Sequence, residues 1–298
     1  MLSARYADRP ALFGVQILNE PISPELWKHI EGRYPPADPE YAAGSGPVPF
    51  EFLCSFYKRA YKEIRRYLGE DKVVMFHDGF RLKMWKEFMQ TEEFKNVWLD
   101  THIYMMLPGE FETKDMAGLV LGRFRDDIRE MAQHFPVVVG EWCLSHNPKG
   151  MDAMTDWEKK LSYRMLADAQ LMAWDESAGF FFWSYKLMSD PAGWDFRKCV
   201  ENGWLPDLDV FTDIAVPADY YRDILKRQAV VNPGVQFLLR NEQEPPFSAF
   251  SDHAAQTHCI DKMHKTHYTM FMFYRNMYGP AMPVFGEKCR LHSVARAG

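Results

Sequence analysis

The sequence predicts an α/β protein in which repeated β-α units form a parallel sheet of the barrel type. Five short apolar runs alternate with stretches of helical periodicity, and each run is too apolar for a sheet with one face in water. Polar side chains follow the carboxyl ends of successive runs, which in a barrel converge on one mouth. A doubly wound sheet would give the same alternation, but no Gly-rich phosphate loop follows any run.

The elements can be taken in chain order. Residues 11–21 contain the first apolar run, which ends in Asn19, Glu20 and Pro21. The later runs predicted as strands are Lys72–Phe80, Asn96–Leu107, Pro136–Leu144 and Ala178–Lys186. Helical spacing of apolar residues predicts helices over Phe50–Leu68, Ala117–Phe135 and Trp157–Asp175, with a short one around Trp85–Met89. Residues 21–49, rich in Pro, Gly and Tyr, are predicted to form a loop.

Composition excludes several classes of function. With 47 % hydrophobic residues the chain can bury a sizeable core. A net charge of −6 gives no electrostatic reason to bind nucleic acid or anionic membrane, and no apolar run is long enough for a transmembrane helix. Residues 1–10 lack the apolar stretch of a signal peptide. Five scattered cysteines without CxxC spacing indicate free thiols in a reducing compartment, and hence a cytoplasmic location.

Two carboxylates at strand ends are the candidates for chemistry. Glu20 follows the first run, and Glu141 follows Gly140, which leaves room beside it. A pair of carboxyl groups, one protonated and one ionised, is what cleavage of a glycosidic bond needs. His102 and Tyr104, two residues apart on one predicted strand, should point into the same site. There a hydrogen bond from a neutral tyrosine or histidine would keep the neighbouring carboxylate ionised.

An aromatic stripe is predicted on the last strand. Phe181, Trp183 and Tyr185 would share one face, and an aromatic ring there offers a flat platform for the apolar face of a sugar. Taken singly, these features also fit ordinary core packing or a salt bridge. Together they predict a glycosidase-type site.

Four motifs at strand ends carry a resemblance to a known family: LNEP at 18–21, HIY at 102–104, VVVGEW at 137–142 and FFWSYK at 181–186. They resemble the motifs of the family 5 glycoside hydrolases, the retaining (β/α)8 TIM-barrel enzymes of clan A. Similarity to the exo-β-1,3-glucanases within that family is carried by FHDGF at 76–80 with Trp85, WDF at 194–196 and NGWLP at 202–206. The resemblance covers about residues 1–206.

The resemblance implies a role for each site residue and the nature of the substrate. Glu20 would be the acid/base and Glu141 the nucleophile. The implied sugar-binding residues are Asn19 at the 2-hydroxyl, His102 and Tyr104 beside the nucleophile, and Trp183 under the subsite that is cleaved. The substrate would be a β-linked oligo- or polysaccharide, and no cofactor or metal is expected.

The chain departs from the family at its beginning. LNEP ends the fourth strand of the family's barrel but starts here at residue 18, so the first three β-α units have no counterpart. The predicted fold is therefore an incomplete barrel over residues 1–206, with 207–298 as a C-terminal extension of unknown role. Leu107 also replaces an entrance aromatic. Because open sheet edges and small misplacements of reacting groups are costly, we expect weak or no hydrolysis by the chain alone.

The extension offers few signals. It lacks three apolar strands, which disfavours a circular permutation that would complete the barrel. The extension contains Cys259 and four nearby histidines, His253, His258, His264 and His267. Their spacing matches no familiar zinc pattern, so a polar helix face is favoured over a metal site. Residues 266–278 are aromatic and rich in Met, and we expect them to be buried, against the side of the barrel that the absent strands leave open.

Three classes of function stay open. The first is a retaining β-glycosidase of the exo-β-1,3-glucanase type, with endo-β-1,4-glucanases and mannanases as related alternatives. The second is a carbohydrate-binding remnant of the barrel without catalysis. The third is a structural or interaction protein that self-associates through an open barrel edge.

Overall fold

The computed structural model describes most of the first 205 residues and little beyond them. The described residues are 2–32, 36, 38–107, 111–188, 192–205, 222–224 and 226–227, together with the backbone of 272–274. The predicted histidine cluster therefore lies outside the described residues, and the boundary at residue 206 stays a prediction.

In the described part of the chain, six strands form one sheet: β1 (Leu12–Gln16), β2 (Val73–His77), β3 (Val97–His102), β4 (Val137–Trp142), β5 (Gly179–Phe182) and β6 (Met272–Tyr274). The first five are parallel and lie side by side in chain order. The sixth runs antiparallel beside the first. The predicted segment 266–278 thus contributes backbone to the edge of β1, and its other residues are outside the described part.

The sequential strand order separates a barrel from a doubly wound sheet. Each crossover moves one place in the same direction, and right-handed crossovers then put all the connecting helices on one face. A doubly wound sheet instead reverses direction at a switch point. The five parallel strands therefore have the topology of part of a (β/α)8 barrel, and the predicted incomplete barrel is confirmed.

Seven α-helices accompany the strands in the described part: α1 (Leu2–Tyr6), α2 (Pro24–Ile30), α3 (Phe50–Arg65), α4 (Thr113–Leu119), α5 (Arg125–Met131), α6 (Asp156–Trp174) and α7 (Phe196–Glu201). The three long predicted helices are present, and a π-helical turn, Val120–Phe124, joins the fourth to the fifth. None of the described helices is long and apolar enough to cross a membrane.

Two predictions about local structure are wrong. The predicted loop at 21–49 contains α2, whose Ser23 side chain accepts a hydrogen bond from the Leu26 N–H while Pro24 opens the helix. The short helix predicted around Trp85–Met89 is a 3₁₀ turn over Leu82–Trp85. In both cases the segment has only one or two turns, and apolar spacing over so few residues does not distinguish an α-helix from a loop or a 3₁₀ turn.

The predicted strands are longer than the observed ones. β3 ends at His102 and β5 at Phe182, so Tyr104 and Trp183 follow their strands and do not lie on them. Ile103 and Met105, which lengthened the predicted strand Asn96–Leu107, are buried although they lie beyond the end of β3. Burial of a loop side chain gives the same hydrophobic signal as burial of a strand side chain, so the pattern overestimates the strand.

The apolar core lies mainly between the sheet and its helices. Its largest cluster includes Trp85, which is fully buried and contacts the rings of Phe50, Phe76 and Phe88. A smaller group on the other face of the sheet contains Val73, Met75 and Val138, with Phe13 and Trp98 packed against it. Three of the cysteines, Cys54, Cys143 and Cys199, are buried free thiols, and the other two lie outside the described residues.

Gly193 allows the chain after β5 to approach the end of β4. It has φ +86°, and a Cβ atom there would lie 2.4 Å from the Ser145 nitrogen and 2.6 Å from the Leu144 carbonyl carbon. Its carbonyl accepts the Leu144 N–H at 2.9 Å. We expect Gly193→Ala to lower the free energy of unfolding by about 1–3 kcal/mol, because the methyl group meets backbone that has no room to yield.

Urea unfolding with paired variants checks this expectation. Gly179→Ala is the matched control, since Gly179 lies in β5 and a Cβ there would meet nothing within 4 Å. An equal midpoint for the two variants would contradict the close approach at Gly193.

Candidate active site

The polar residues at the strand ends meet at one edge of the sheet. Glu20 follows β1, His77 and His102 end β2 and β3, and Glu141 lies near the end of β4. Because the strands are parallel, their carboxyl ends share one edge. Within the sheet, His77 pairs with Asp100 and His102 pairs with Glu141 in register.

His102 links the two glutamates. Its Nδ1 lies 2.7 Å from Oε1 of Glu20 and 3.4 Å from Oε2 of Glu141. These two oxygens can be no farther apart than the two distances added together, about 6.1 Å. The carboxyl groups of retaining glycosidases are about 5–5.5 Å apart and those of inverting enzymes about 6.5–9.5 Å. The observed limit agrees with the retaining range.

The contacts of His102 favour its positively charged form, whereas the sequence predicts a neutral ring there. Its second nitrogen, Nε2, lies 3.1 Å from Oδ2 of Asp100, so both ring nitrogens face carboxylate oxygens, and only the imidazolium form can donate from both. Burial alone would lower the pKa of His102. The hydrogen bonds to Asp100 and Glu20, together with the charges of Asp100 and Glu141, raise it to about 10.

Glu141 is held by Tyr104. The phenol of Tyr104 donates a hydrogen bond of 2.6 Å to Oε2 of Glu141. Burial, and to a lesser extent the Glu141 carboxylate, raise the pKa of Tyr104, so the phenol keeps its proton and remains a donor. Burial raises the pKa of Glu141, while the His102 charge and the Tyr104 hydrogen bond lower it. The two neighbours therefore favour the ionised form as predicted, but burial is the larger effect and the net shift is upward.

Glu20 is the more accessible of the two carboxylates. Its side chain is 30 % exposed, compared with 11 % for Glu141. Its backbone has φ 41°, a left-handed conformation that residues other than glycine rarely adopt, and such strain is concentrated at functional sites. Water therefore reaches the Glu20 carboxylate more easily than the Glu141 carboxylate.

The remaining predicted residues border this pair. Oδ1 of Asn19, next to Glu20, is buried and has no hydrogen-bond partner among the described residues. Trp183 is 42 % exposed and so is not part of the core beneath the helices. Its backbone N–H donates to the Trp142 carbonyl, beside Glu141. The ring of Tyr104 lies 5.2 Å from that of Trp194, in the predicted WDF motif.

Two residues of the site were not predicted from the sequence. Asp100, only 1 % exposed, holds His102, and the Nε2 amide of Gln16 donates a hydrogen bond of 2.5 Å to the same oxygen, Oδ2. The available signal was a polar residue inside an apolar strand. Asp100 stands two residues before His102, and Gln16 is the last residue of β1.

Glu20, His77 and His102 offer possible metal ligand atoms within 4.8 Å of one another. The hydrogen bonds favour a different use. Nδ1 of His77 accepts the Gly79 N–H at 2.9 Å, which places the proton on Nε2, and burial lowers the pKa of His77 well below its ordinary value. Since His102 is protonated on both nitrogens, neither ring offers a lone pair toward an ion. We interpret Glu20 and His102 as a hydrogen-bonded pair with the neutral His77 ring packed against it.

Parallel β-α units with two carboxylates facing each other at the strand ends are typical of glycoside hydrolases of the barrel type. Sequence comparison finds relatives of the same class. The chain is 27 % identical over 241 residues to a glucan 1,3-β-glucosidase of Candida oleophila, and the match covers 65 % of this chain and 48 % of the relative. It is 24 % identical over 231 residues to a glucan 1,3-β-glucosidase of Kluyveromyces lactis, with 65 % and 48 % coverage.

A shorter match is 33 % identical over 84 residues to a glucan endo-1,6-β-glucosidase B of Emericella nidulans, covering 27 % of this chain and 20 % of the relative. The predicted resemblance to glucan 1,3-β-glucosidases is thus confirmed. The chain spans about half the length of the glucan 1,3-β-glucosidases that it matches. No model of a known protein family matches the chain.

Solved structures with a similar backbone include a rutinosidase from Aspergillus niger, with a TM-score of 0.41 and 18 % identity over 57 % of this chain and 49 % of that one. Another is a family 5 xyloglucanase from Paenibacillus pabuli, with a TM-score of 0.39 and 10 % identity over 79 % of this chain and 65 % of that one.

Proposed function

We propose that this site hydrolyses β-glucan by a retaining double displacement, with Glu20 as acid/base and Glu141 as nucleophile. The observation that carries the proposal is the position of His102, which contacts both carboxylates and limits the distance between them. The names of the relatives suggest a β-1,3-glucan as the substrate. Endo-acting and β-1,4-specific enzymes are the alternatives within the same chemistry.

In the first step, an oxygen of ionised Glu141 forms a bond to the anomeric carbon of the sugar. The glycosidic C–O bond breaks as Glu20 gives its proton to the departing oxygen, which leaves a glycosyl ester on Glu141. The Tyr104 hydrogen bond fixes one oxygen of Glu141 before attack, so less reorganisation is needed.

In the second step, Glu20 takes a proton from water. The water oxygen bonds to the anomeric carbon while the ester bond breaks, which returns Glu141 as a carboxylate and releases the sugar with its original configuration. Asn19 and Trp183 are proposed to bind the sugar. Oδ1 of Asn19, which has no hydrogen-bond partner among the described residues, can accept a hydroxyl hydrogen. The exposed residue Trp183 can pack its ring on a sugar face.

Covalent labelling tests the proposal even if turnover is weak, as we expect for this chain. A 2-deoxy-2-fluoro-β-glucoside with a dinitrophenol leaving group should leave a fluoroglucosyl ester on Glu141, identified by mass spectrometry of the peptide. Glu141→Gln should take no label. Glu92→Gln, at an exposed position before β3, is the matched control and should be labelled normally.

Label on another residue, or label that persists in Glu141→Gln, would overturn the assigned nucleophile. Binding of β-1,3-gluco-oligosaccharides without any labelling would instead support a carbohydrate-binding remnant.

A further inference from the structure

We propose that Asp100 is a positioning residue of this site, which holds the His102 cation between the two glutamates, and that Gly140 is required to make room for it. The inference rests on the proposed function, because positioning matters only if the two glutamates react. Asp100 itself touches neither glutamate in the described hydrogen bonds.

Asp100 is placed to act on one side of the His102 ring. It precedes His102 by two residues on β3, so the two side chains leave the strand on the same face. Its Oδ2 accepts from His102 Nε2 and from Gln16 Nε2. With Nε2 held in this way, Nδ1 must face Glu20 and Glu141.

Gly140 supplies the space that Asp100 occupies. A Cβ atom at this position would lie 2.1 Å from Oδ1 and 2.7 Å from Cγ of Asp100. Gly140 does not have a positive φ, so the backbone conformation does not require glycine. The requirement comes from the carboxylate, which any larger residue on β4 would push away from His102.

Charge explains why Asp100 matters for the two glutamates. A carboxylate that is 1 % exposed is costly unless it is paired, and His102 is its cationic partner. Among the described residues, the groups that face His102 besides Asp100 are Glu20, Glu141 and the neutral ring of His77, and the charge of Asp78 also interacts with it. Without Asp100, the ring would lose a proton more readily and could turn, and the glutamates would face each other without a fixed cation.

The first test measures His102 in the unsubstituted chain by NMR with labelled histidine, and His102→Gln assigns the signal. We expect His102 to stay doubly protonated through pH 8 and to lose a proton only near pH 10. In Asp100→Asn the pKa of His102 should fall by at least one unit. Asp78→Asn is the matched control, because this buried carboxylate bonds to Thr101 and the Phe80 N–H. It should give a smaller shift.

The second test measures the rate of fluoroglucosyl labelling against pH. Asp100→Asn should lose at least tenfold in rate at pH 10 relative to its own rate at pH 6, whereas the unsubstituted chain, in which the pKa of His102 is about 10, should lose about twofold. A merely structural role would lower the rate equally at both values. A drop in pKa in Gly140→Ala, with Asp100 present, would support the assigned role of the glycine.

Each part can fail separately. Titration of His102 near pH 6.5 in the unsubstituted chain would overturn the inference whether or not the variants fold. An unchanged pKa in folded Asp100→Asn would do the same. Absence of labelling in the unsubstituted chain would overturn the proposed function, while the NMR shift would still decide whether Asp100 holds the cation.

Discussion

Glu20→Gln is expected to slow hydrolysis of β-1,3-glucan by about 100- to 10,000-fold, the usual contribution of a positioned general acid or base. The departing sugar hydroxyl is a poor leaving group, so it needs a proton as the glycosidic bond breaks. Glutamine keeps the size of the side chain and can accept the hydrogen bond from His102, but its amide has no acidic proton to give. The loss should therefore be in rate with little loss of fold.

The leaving group distinguishes this role from a general disturbance of the site. Dinitrophenolate leaves without protonation, so the fluoroglucosyl labelling of Glu141 should remain nearly normal in Glu20→Gln. Exposed Glu25→Gln, five residues later in α2, is the matched control and should leave both rates unchanged. Equal losses with glucan and with the dinitrophenyl glucoside would show that Glu20 does not act as the acid.

The sequence alone predicts the two glutamates because in each case an apolar run ends abruptly in a charged residue. Glu20 and Glu141 each follow a buried apolar run, and parallel strands end at a common edge. His102 and Tyr104 are found by the same argument, although Tyr104 reaches Glu141 from a loop and not from a strand. The approximate position of each element was enough, and exact strand bounds were not needed.

Residues that act inside the sheet are much harder to predict. Asp100 and Gln16 stand among apolar residues of their own strands, and the sequence does not show that β1 and β3 bring them within 2.5 Å of each other. The charge of His102 is hidden for the same reason, since it depends on carboxylates from three different elements. The antiparallel pairing of β6 joins residues more than 250 positions apart, beyond any local pattern.

The largest stability loss is expected for Trp85→Ala, at about 3–5 kcal/mol in the free energy of unfolding. Trp85 is fully buried, with ring centroids 4.7 Å from Phe50, 4.8 Å from Phe88 and 5.0 Å from Phe76. Removing the indole leaves a cavity among rigid rings that have little freedom to close it. Because domains are stable by only about 5–15 kcal/mol, urea unfolding should show a much lower midpoint.

The same substitution should reach the active site, because Trp85 also supports the end of β2. Its Nε1–H donates to the Asp78 carbonyl at 2.7 Å, and its ring packs on Tyr57, whose hydroxyl donates to the His77 carbonyl. Both carbonyls belong to residues beside His102.

Trp157→Ala, at a site 63 % exposed on α6, is the control and should change stability by less than about 0.5 kcal/mol. Similar midpoints for the two tryptophan variants would contradict this core. A lower midpoint with normal labelling at Glu141 would show that the core stabilises the fold without positioning the site.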